Sequence, residues 1–137
     1  MPNTQKAPDG DTGTVRVRYM VNAIAPAVAF YTRNLDFHAK SGDNPNFALL
    51  TRGNLELVLS TPFGPGGAAK PMSDGRKAEP GGWNRIILNV QDLPHEVDRL
   101  REAGLHFRSE IRQGPGGSEI LLDDPSGNPV ELFQPAR

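Results

Sequence analysis

The chain has 137 residues, a net charge of −1 and no cysteine. This length suits one compact domain or two very small modules. The lack of cysteine excludes disulfides and thiolate metal sites, and the absence of a basic run argues against binding to nucleic acid or an anionic membrane. Residues 1–14 are polar and lack the apolar core of a signal peptide, so they predict a disordered tail. Since no apolar run approaches a membrane span, we expect a cytoplasmic protein.

The first half of the chain predicts a strand, a helix and three further strands. Residues 15–21 alternate between apolar and polar positions, which is typical of a half-buried strand. Apolar residues then recur at helical spacing, at Ile24, Val28, Tyr31 and Leu35. Three short strands follow, separated by turns rich in Asn, Asp, Pro and Gly, near residues 37–42, 46–51 and 55–60.

Residues 61–82 differ in kind from what precedes them. They are rich in Gly and Pro, and they are long for a connection inside a compact domain. Such a segment predicts a linker or a lid. Gly66-Gly67 lacks the strand-to-helix context of a phosphate-binding loop, so we interpret it as flexible linker and Gly116-Gly117 as a turn.

The second half repeats the pattern of the first. Residues 83–90 predict a strand, and Asp92 and Gly104 are suited to begin and end a helix. The apolar stripe of that helix is Leu93, Val97, Leu100 and Ala103. Further strands are predicted near residues 106–112, 118–122 and 128–134.

Both halves therefore predict the order β-α-β-β-β, which indicates an internal duplication. In the alignment of the two halves, Arg16 matches Arg85 and Glu56 matches Glu131. We predict an α+β fold of two tandem βαβββ modules, over residues 15–60 and 83–137. Their curved sheets would form an eight-stranded funnel with both helices outside.

Strand parity predicts which side chains face away from the helices and into the funnel. They are Arg16, Arg18, Met20, Glu56, Val58, Trp83, Arg85, Ile87, Asn89, Glu131 and Phe133. A mixed charged and aromatic lining is suited to a small-molecule pocket, to which Phe63 of the 61–82 segment would add apolar area. The alternative is a solvated sheet face, which the apolar members of the set disfavour.

A family resemblance is carried by the last hairpin. The turn residues 124–128, Asp-Pro-Ser-Gly-Asn, lie between two apolar strands. The whole stretch DPSGNPVELFQP resembles the closing hairpin of the vicinal oxygen chelate superfamily, which includes glyoxalase I, extradiol dioxygenases and bleomycin-resistance proteins. The resemblance extends over residues 15–135. It implies that Glu131, and by the repeat Glu56, stand where metal-using members have glutamate ligands.

The same resemblance places a histidine from the first strand of each module at the metal. This chain has Arg16 and Arg85 at those positions, and His38, His95 and His106 match none of them. A guanidinium has no lone pair to offer and stays charged. Two carboxylates alone fall short of the three or four protein ligands of catalytic metal sites. We therefore predict no metal and no other cofactor, with a divalent metal ion as the alternative.

Two interpretations of these four charged residues remain open. In the first, Arg16 with Glu56 and Arg85 with Glu131 form ion pairs that fill the place of the metal and contribute little net stability. In the second, an arginine binds a ligand carboxylate or enolate while Glu56 or Glu131 is a catalytic general base.

Three functions follow from these interpretations. The first is a metal-independent protein that binds a small, partly aromatic organic molecule, as in the resistance branch of the superfamily. Its ligand-binding residues would be Arg16, Arg18, Met20, Phe63, Trp83, Arg85, Ile87, Asn89 and Phe133. The alternatives are a glyoxalase-like lyase or isomerase or a dioxygenase-like metalloenzyme, and a metal-free enzyme. The resemblance also implies a homodimer, in which the long linker would allow modules to be exchanged between chains.

Overall fold

The computed structural model describes residues 13–137, so most of the predicted tail lies outside the described residues. The first module contains β1 (Val15–Met20), α1 (Ile24–Asn34), β2 (His38–Asn44), β3 (Phe47–Arg52) and β4 (Leu55–Ser60). The second contains β5 (Ile86–Asn89), α2 (Leu93–Glu102), β6 (Arg112–Gly114), β7 (Gly117–Asp123) and β8 (Pro129–Pro135). The predicted α+β fold of two βαβββ modules is confirmed. No helix within residues 13–137 is long and apolar enough to cross a membrane.

The two sheets share one topology. Their strand orders are β1-β4-β3-β2 and β5-β8-β7-β6. In each sheet the first strand of the module runs parallel to the last, and the other pairs are antiparallel. Because the last strand is central, its side chains lie beside those of the first strand, where a site shared by both strands can form.

One hydrophobic core joins the two modules. The helices contribute Ile24, Ala27, Phe30 and Tyr31 from α1 and Leu93, Val97 and Leu100 from α2. The Tyr19 hydroxyl crosses between the modules, since it donates to the Pro129 carbonyl (2.8 Å) and accepts from the Ile86 N–H (2.9 Å). The two modules therefore contact each other within one chain.

The second helix begins and ends as predicted. The Asp92 side chain accepts a hydrogen bond from the His95 N–H (3.2 Å), which satisfies one of the free donors of the first turn. Past the end of α2, Gly104 has a φ of +89°, a left-handed conformation that glycine adopts without the steric cost of a Cβ. Ala103, predicted as part of the apolar stripe, is instead the exposed C-cap.

Two predicted strands are shorter than expected. The strand predicted over residues 83–90 begins only at Ile86, because its parallel partner β8 begins at Pro129 and offers no backbone to Trp83. The strand predicted over 106–112 is reduced to a single bridge between Phe107 and Leu122, followed by the short β6. The segment before β6 changes its register with β7 after this bridge, and composition alone does not reveal such an interruption.

Candidate functional site

Burial follows the predicted strand parity. On β5, Ile86 and Leu88 are 7% and 4% exposed on the helix side, whereas Ile87 between them is 57% exposed on the opposite side. On β1, Tyr19 is buried while Arg16 and Arg18 are exposed. The exposures of Arg16, Arg18 and Ile87 therefore agree with the side of the sheet predicted for them.

The helix-free side of the first sheet holds a charged cluster around Glu56. The register of β1 with β4 sets Arg16 directly opposite Glu56, and the Arg16 Nε lies 3.0 Å from the Glu56 Oε1. The Lys40 Nζ lies 3.2 Å from the other carboxylate oxygen, Oε2. Both cations are more than half exposed, so each pair contributes at most about 1 kcal/mol.

Lys40 is a member of the site that sequence reasoning missed. Residues Ala39 and Ser41 pair with the consecutive residues Leu50 and Leu49, so Lys40 is the extra residue of a β-bulge. A bulge re-aims a side chain out of the ordinary alternation of its strand. The sequence near residues 37–42 predicted an ordinary strand, and nothing in its pattern indicated that Lys40 would turn towards Glu56.

The helix-free side of the second sheet holds a more buried pair. The Arg85 Nε lies 3.0 Å from the Glu131 Oε1, and the Glu131 side chain is only 6% exposed. Arg85 also donates through Nη1 to the Trp83 carbonyl (3.2 Å). The Trp83 ring is largely exposed and carries the Arg108 guanidinium at 5.4 Å from its centre. Both ion pairs predicted from the sequence are thus present.

The strand registers correct one detail of the internal repeat. The first strand and the helix of the second module lie the same number of residues after their counterparts in the first module, since Met20 ends β1 and Asn89 ends β5. With this spacing, Arg18 in the first module is equivalent to Ile87 in the second. Arg18 pairs with Val58 on β4, and Ile87 pairs with Glu131 on β8. Val58, and not Glu56, therefore holds the position equivalent to Glu131. Glu56 lies two residues earlier on β4.

The residues present do not fit the metal that the superfamily implies. The first module offers Val58 at the place equivalent to Glu131, and a valine has no donor atom. Glu131 is already bound by Arg85. Within residues 13–137, no three His, Asp or Glu side chains lie close enough together to hold a metal ion. His38, His95 and His106 are exposed, at the start of β2, in the first turn of α2 and before the Phe107 bridge.

A cleft of about 360 Å³ opens on the first module beside Arg18. The remaining lining consists of Asn44, Asn46, Phe47, Ser60, Thr61 and residues 64–69. Residues 61–82 are thus not a plain linker here, because their first part forms a wall of the cleft. Gly66-Gly67, interpreted as flexible, instead leads into a short 3-10 helix, Gly67–Ala69. Phe63, a predicted ligand contact, lies outside this lining and is 73% exposed.

The chain belongs to the Glyoxalase/Bleomycin resistance protein/Dioxygenase superfamily, whose family model matches residues 13–132. The resemblance of the closing hairpin is confirmed by this match. None of the curated proteins matches the chain.

Several solved structures share the fold. A superfamily member from Sphaerobacter thermophilus is 24% identical, with a TM-score of 0.69 over 88% of this chain and 95% of that one. Lactoylglutathione lyase from Agrobacterium tumefaciens is 15% identical, with a TM-score of 0.71 over 91% and 95%. An antibiotic binding protein from Streptomyces sp. CB03234 is 21% identical, with a TM-score of 0.68 over 93% and 99%. At these identities the likeness concerns the fold alone.

Proposed function

We propose that this protein binds a small organic molecule on the helix-free sides of its sheets and holds no divalent metal there. The observation that carries the proposal is the pair of arginines at the positions where the superfamily resemblance implies histidines. Each guanidinium contacts a carboxylate at 3.0 Å, Arg16 with Glu56 and Arg85 with Glu131. Each carboxylate therefore already has a charged partner, with which a metal ion would have to compete.

Electrostatics supports the same proposal. A divalent ion beside Glu131 would have to displace or approach the Arg85 guanidinium. Two unit charges 4 Å apart interact by about 4 kcal/mol at an effective dielectric near 20, and the ion carries twice that charge. Of the two equivalent positions, only Glu131 bears a carboxylate, because the first module has Val58 there, and Arg85 already balances the charge of Glu131.

The surface around the pairs is suited to an organic ligand with an anionic or polar group. Trp83 and Ile87 are 73% and 57% exposed, which leaves aromatic and aliphatic area uncovered near Arg85. Near the two pairs, Arg18 and Lys40 supply further positive charge. The antibiotic binding protein that shares the fold supports a sequestering role as one form of this function.

A metal-free enzyme is the second candidate function. The Glu131 carboxylate is buried, and Arg85 connects it to the backbone of the exposed Trp83. A buried carboxylate that a bound substrate would cover is suited to act as a general base. Turnover of a bound ligand, abolished by Glu131→Gln and insensitive to chelators, would select this function. The glyoxalase-like and dioxygenase-like alternatives require a metal, and the side chains at this place do not offer a suitable set of metal ligands.

The cytoplasmic location and the homodimer remain predictions. For the homodimer, the exposed Val15 and Ile87 offer apolar area that a second copy could cover.

The function is tested through the intrinsic fluorescence of Trp83, the single tryptophan of the chain. We expect a screen of drug-sized organic molecules to yield ligands that raise the melting temperature and change this fluorescence. Trp83→Ala should weaken such a ligand about tenfold, because an aromatic contact contributes about 0.5–1.5 kcal/mol beyond its buried area. Affinity of the variant is measured by calorimetry.

Met72→Ala is the matched control, since Met72 is an exposed apolar residue on the 61–82 segment. It should leave the affinity unchanged. An affinity that survives Trp83→Ala would place the site elsewhere, and a screen without any ligand would contradict the proposed function.

A further inference from the structure

Arg18 differs from the other arginines on the helix-free sides of the sheets. Arg16 and Arg85 are held by Glu56 and Glu131, whereas Arg18 forms no ion pair with any residue from 13 to 137. Of the residues from 13 to 137 that line the 360 Å³ cleft, it is also the sole one with a charged side chain. Within the described part of the chain, this guanidinium therefore has no counter-ion, and the cavity that it faces has no carboxylate in its wall.

The wall of this cleft that residues 61–69 form has a defined shape. The Thr61 Oγ1 donates to the Asn46 Oδ1 (2.7 Å), and the Thr61 N–H donates to the Asn46 carbonyl (3.1 Å). Gly64 packs so closely that an added Cβ would lie 2.7 Å from the Asn46 Cβ, so glycine is needed there. The 3-10 helix Gly67–Ala69 continues this wall. The connection after β4 is therefore tied to β3 by its own hydrogen bonds.

The chemistry of the wall limits what can bind. Phe47, Pro65 and the alanines of the 3-10 helix supply apolar and aromatic surface, and the remaining side chains are neutral amides and hydroxyls. A volume of 360 Å³ lies near the lower end of the range for small-molecule sites. The planar guanidinium fork matches a carboxylate with two parallel hydrogen bonds.

We propose that this cleft recognises a small aromatic carboxylate, with Arg18 binding the carboxylate and the 61–69 wall covering the ring. The proposal rests on the proposed function and names the part of the site that selects the ligand. Arg85 is less suited to this role, because a ligand that took it would leave Glu131 without its partner. For the buried Glu131 that loss is costly. Arg16 is paired with Glu56 and lies outside the lining of the cleft.

The test compares 2-naphthoate with its neutral amide, 2-naphthamide, by calorimetry on the full chain. We expect 2-naphthoate to bind more tightly than the amide. Arg18→Gln should weaken 2-naphthoate about tenfold or more, since a hydrogen bond to a charged group contributes about 1.5–3 kcal/mol. The same variant should change the affinity for 2-naphthamide less than about twofold, because the neutral amide forms no ion pair with Arg18 that the variant could remove. Arg33→Gln, at an exposed arginine of α1, is the matched control and should alter neither affinity.

A second variant tests the wall. Ala68→Phe places a ring in the cleft and should weaken both compounds, while circular dichroism and melting temperature report whether the fold is kept. Loss of both compounds equally in Arg18→Gln, or no response to either variant, would overturn the assignment.

Failure of the two proposals can be told apart. If neither naphthyl compound binds but another ligand responds to Trp83→Ala, the assignment of the cleft is wrong and the proposed function stands. If no compound of any class binds, both are wrong.

Discussion

Replacing Asp124 by asparagine is expected to lower the free energy of unfolding by about 3 kcal/mol. Asp124 is 4% exposed, and its carboxylate accepts hydrogen bonds from four donors. Oδ2 accepts from the Tyr31 hydroxyl (2.8 Å) and the Asn128 Nδ2 (3.0 Å). Oδ1 accepts from the N–H groups of Ser126 and Asn128, both at 2.9 Å. An asparagine has one acceptor oxygen, so two buried donors would lose their acceptor, each at a cost of about 1–3 kcal/mol.

The consequence extends beyond the turn, because the Tyr31 bond joins α1 of the first module to the β7–β8 turn of the second. Chemical denaturation followed by circular dichroism measures the loss. Asp98→Asn is the matched control, since Asp98 is exposed on α2 and surface changes of this kind stay within about 0.5 kcal/mol. A loss below about 1 kcal/mol for Asp124→Asn would show that the network does not join the modules energetically.

The second large effect is expected at alkaline pH, where the two tyrosines of the chain should resist ionisation until the protein unfolds. Burial raises the pKa of Tyr19 from 10.0 to about 12, while the hydrogen bond from the Ile86 N–H opposes this shift in part. Burial also raises the pKa of Tyr31, and the neighbouring Asp124 carboxylate adds to the shift. Both phenols are therefore protonated in the folded state at a pH where the unfolded chain has lost those protons.

The direction in which stability changes with pH follows from this difference in protonation between the folded and unfolded states. The unfolded chain binds fewer protons above its pKa of about 10, so stability is fully present below about pH 10 and falls as the pH rises towards the folded pKa of Tyr19. In that pH range, each tyrosine that stays protonated in the folded state lowers the free energy of unfolding by about 1.4 kcal/mol per pH unit. Tyr19 alone contributes about 2–3 kcal/mol of loss between about pH 10 and 12, and Tyr31 adds to it.

Phenolate absorbance and circular dichroism, followed together during an alkaline titration, measure this effect. Phenolate should appear at the same pH at which the helical signal is lost. In Tyr19→Phe, the remaining phenol should still ionise only on unfolding. Free ionisation of both phenols near pH 10 in a chain with an intact helical signal would contradict the buried hydroxyl network.

The fold could be predicted to a large extent because most strands of the two modules bury residues on the helix side, although β2 and β6 are exposed. Alternation at residues 15–21 and 55–60 and the turn chemistry at 124–128 were sufficient for both modules. The start of β5 could not be predicted, because it depends on where its partner β8 begins. The start of β6 could not be predicted, because it depends on a change of register with β7. Trp83 has the composition of a strand residue, yet β8 offers it no backbone.

The pairing of Glu56 with Glu131 in the repeat shows a second limit. Shifting one strand by two residues leaves every side chain on the same side of the sheet, so alternation cannot detect the shift. Leu-Glu-Leu on β4 resembles Val-Glu-Leu on β8, but the backbone register places Val58 at the equivalent position. The Arg16–Glu56 pair was nevertheless predicted, because Arg16 lies opposite Glu56 in the actual register.

Two parts of the candidate site depend on features that the sequence pattern does not encode. Lys40 reaches Glu56 because of a bulge on β2. The cleft beside Arg18 depends on how Thr61 and Gly64 dock on Asn46. Both are tertiary arrangements of segments whose local composition indicated only a short strand and a linker.

The metal content of the purified protein decides between a metal-free binding site and a metalloenzyme. It is measured by elemental analysis after purification without chelators, and by calorimetric titration with Zn²⁺, Ni²⁺, Mn²⁺ and Fe²⁺. With Arg16 and Arg85 bound to the two glutamates, we expect well below one equivalent of any of these metals and no tight binding on titration. One equivalent of bound metal that is lost in the Glu131→Ala variant would contradict the proposed metal-free site.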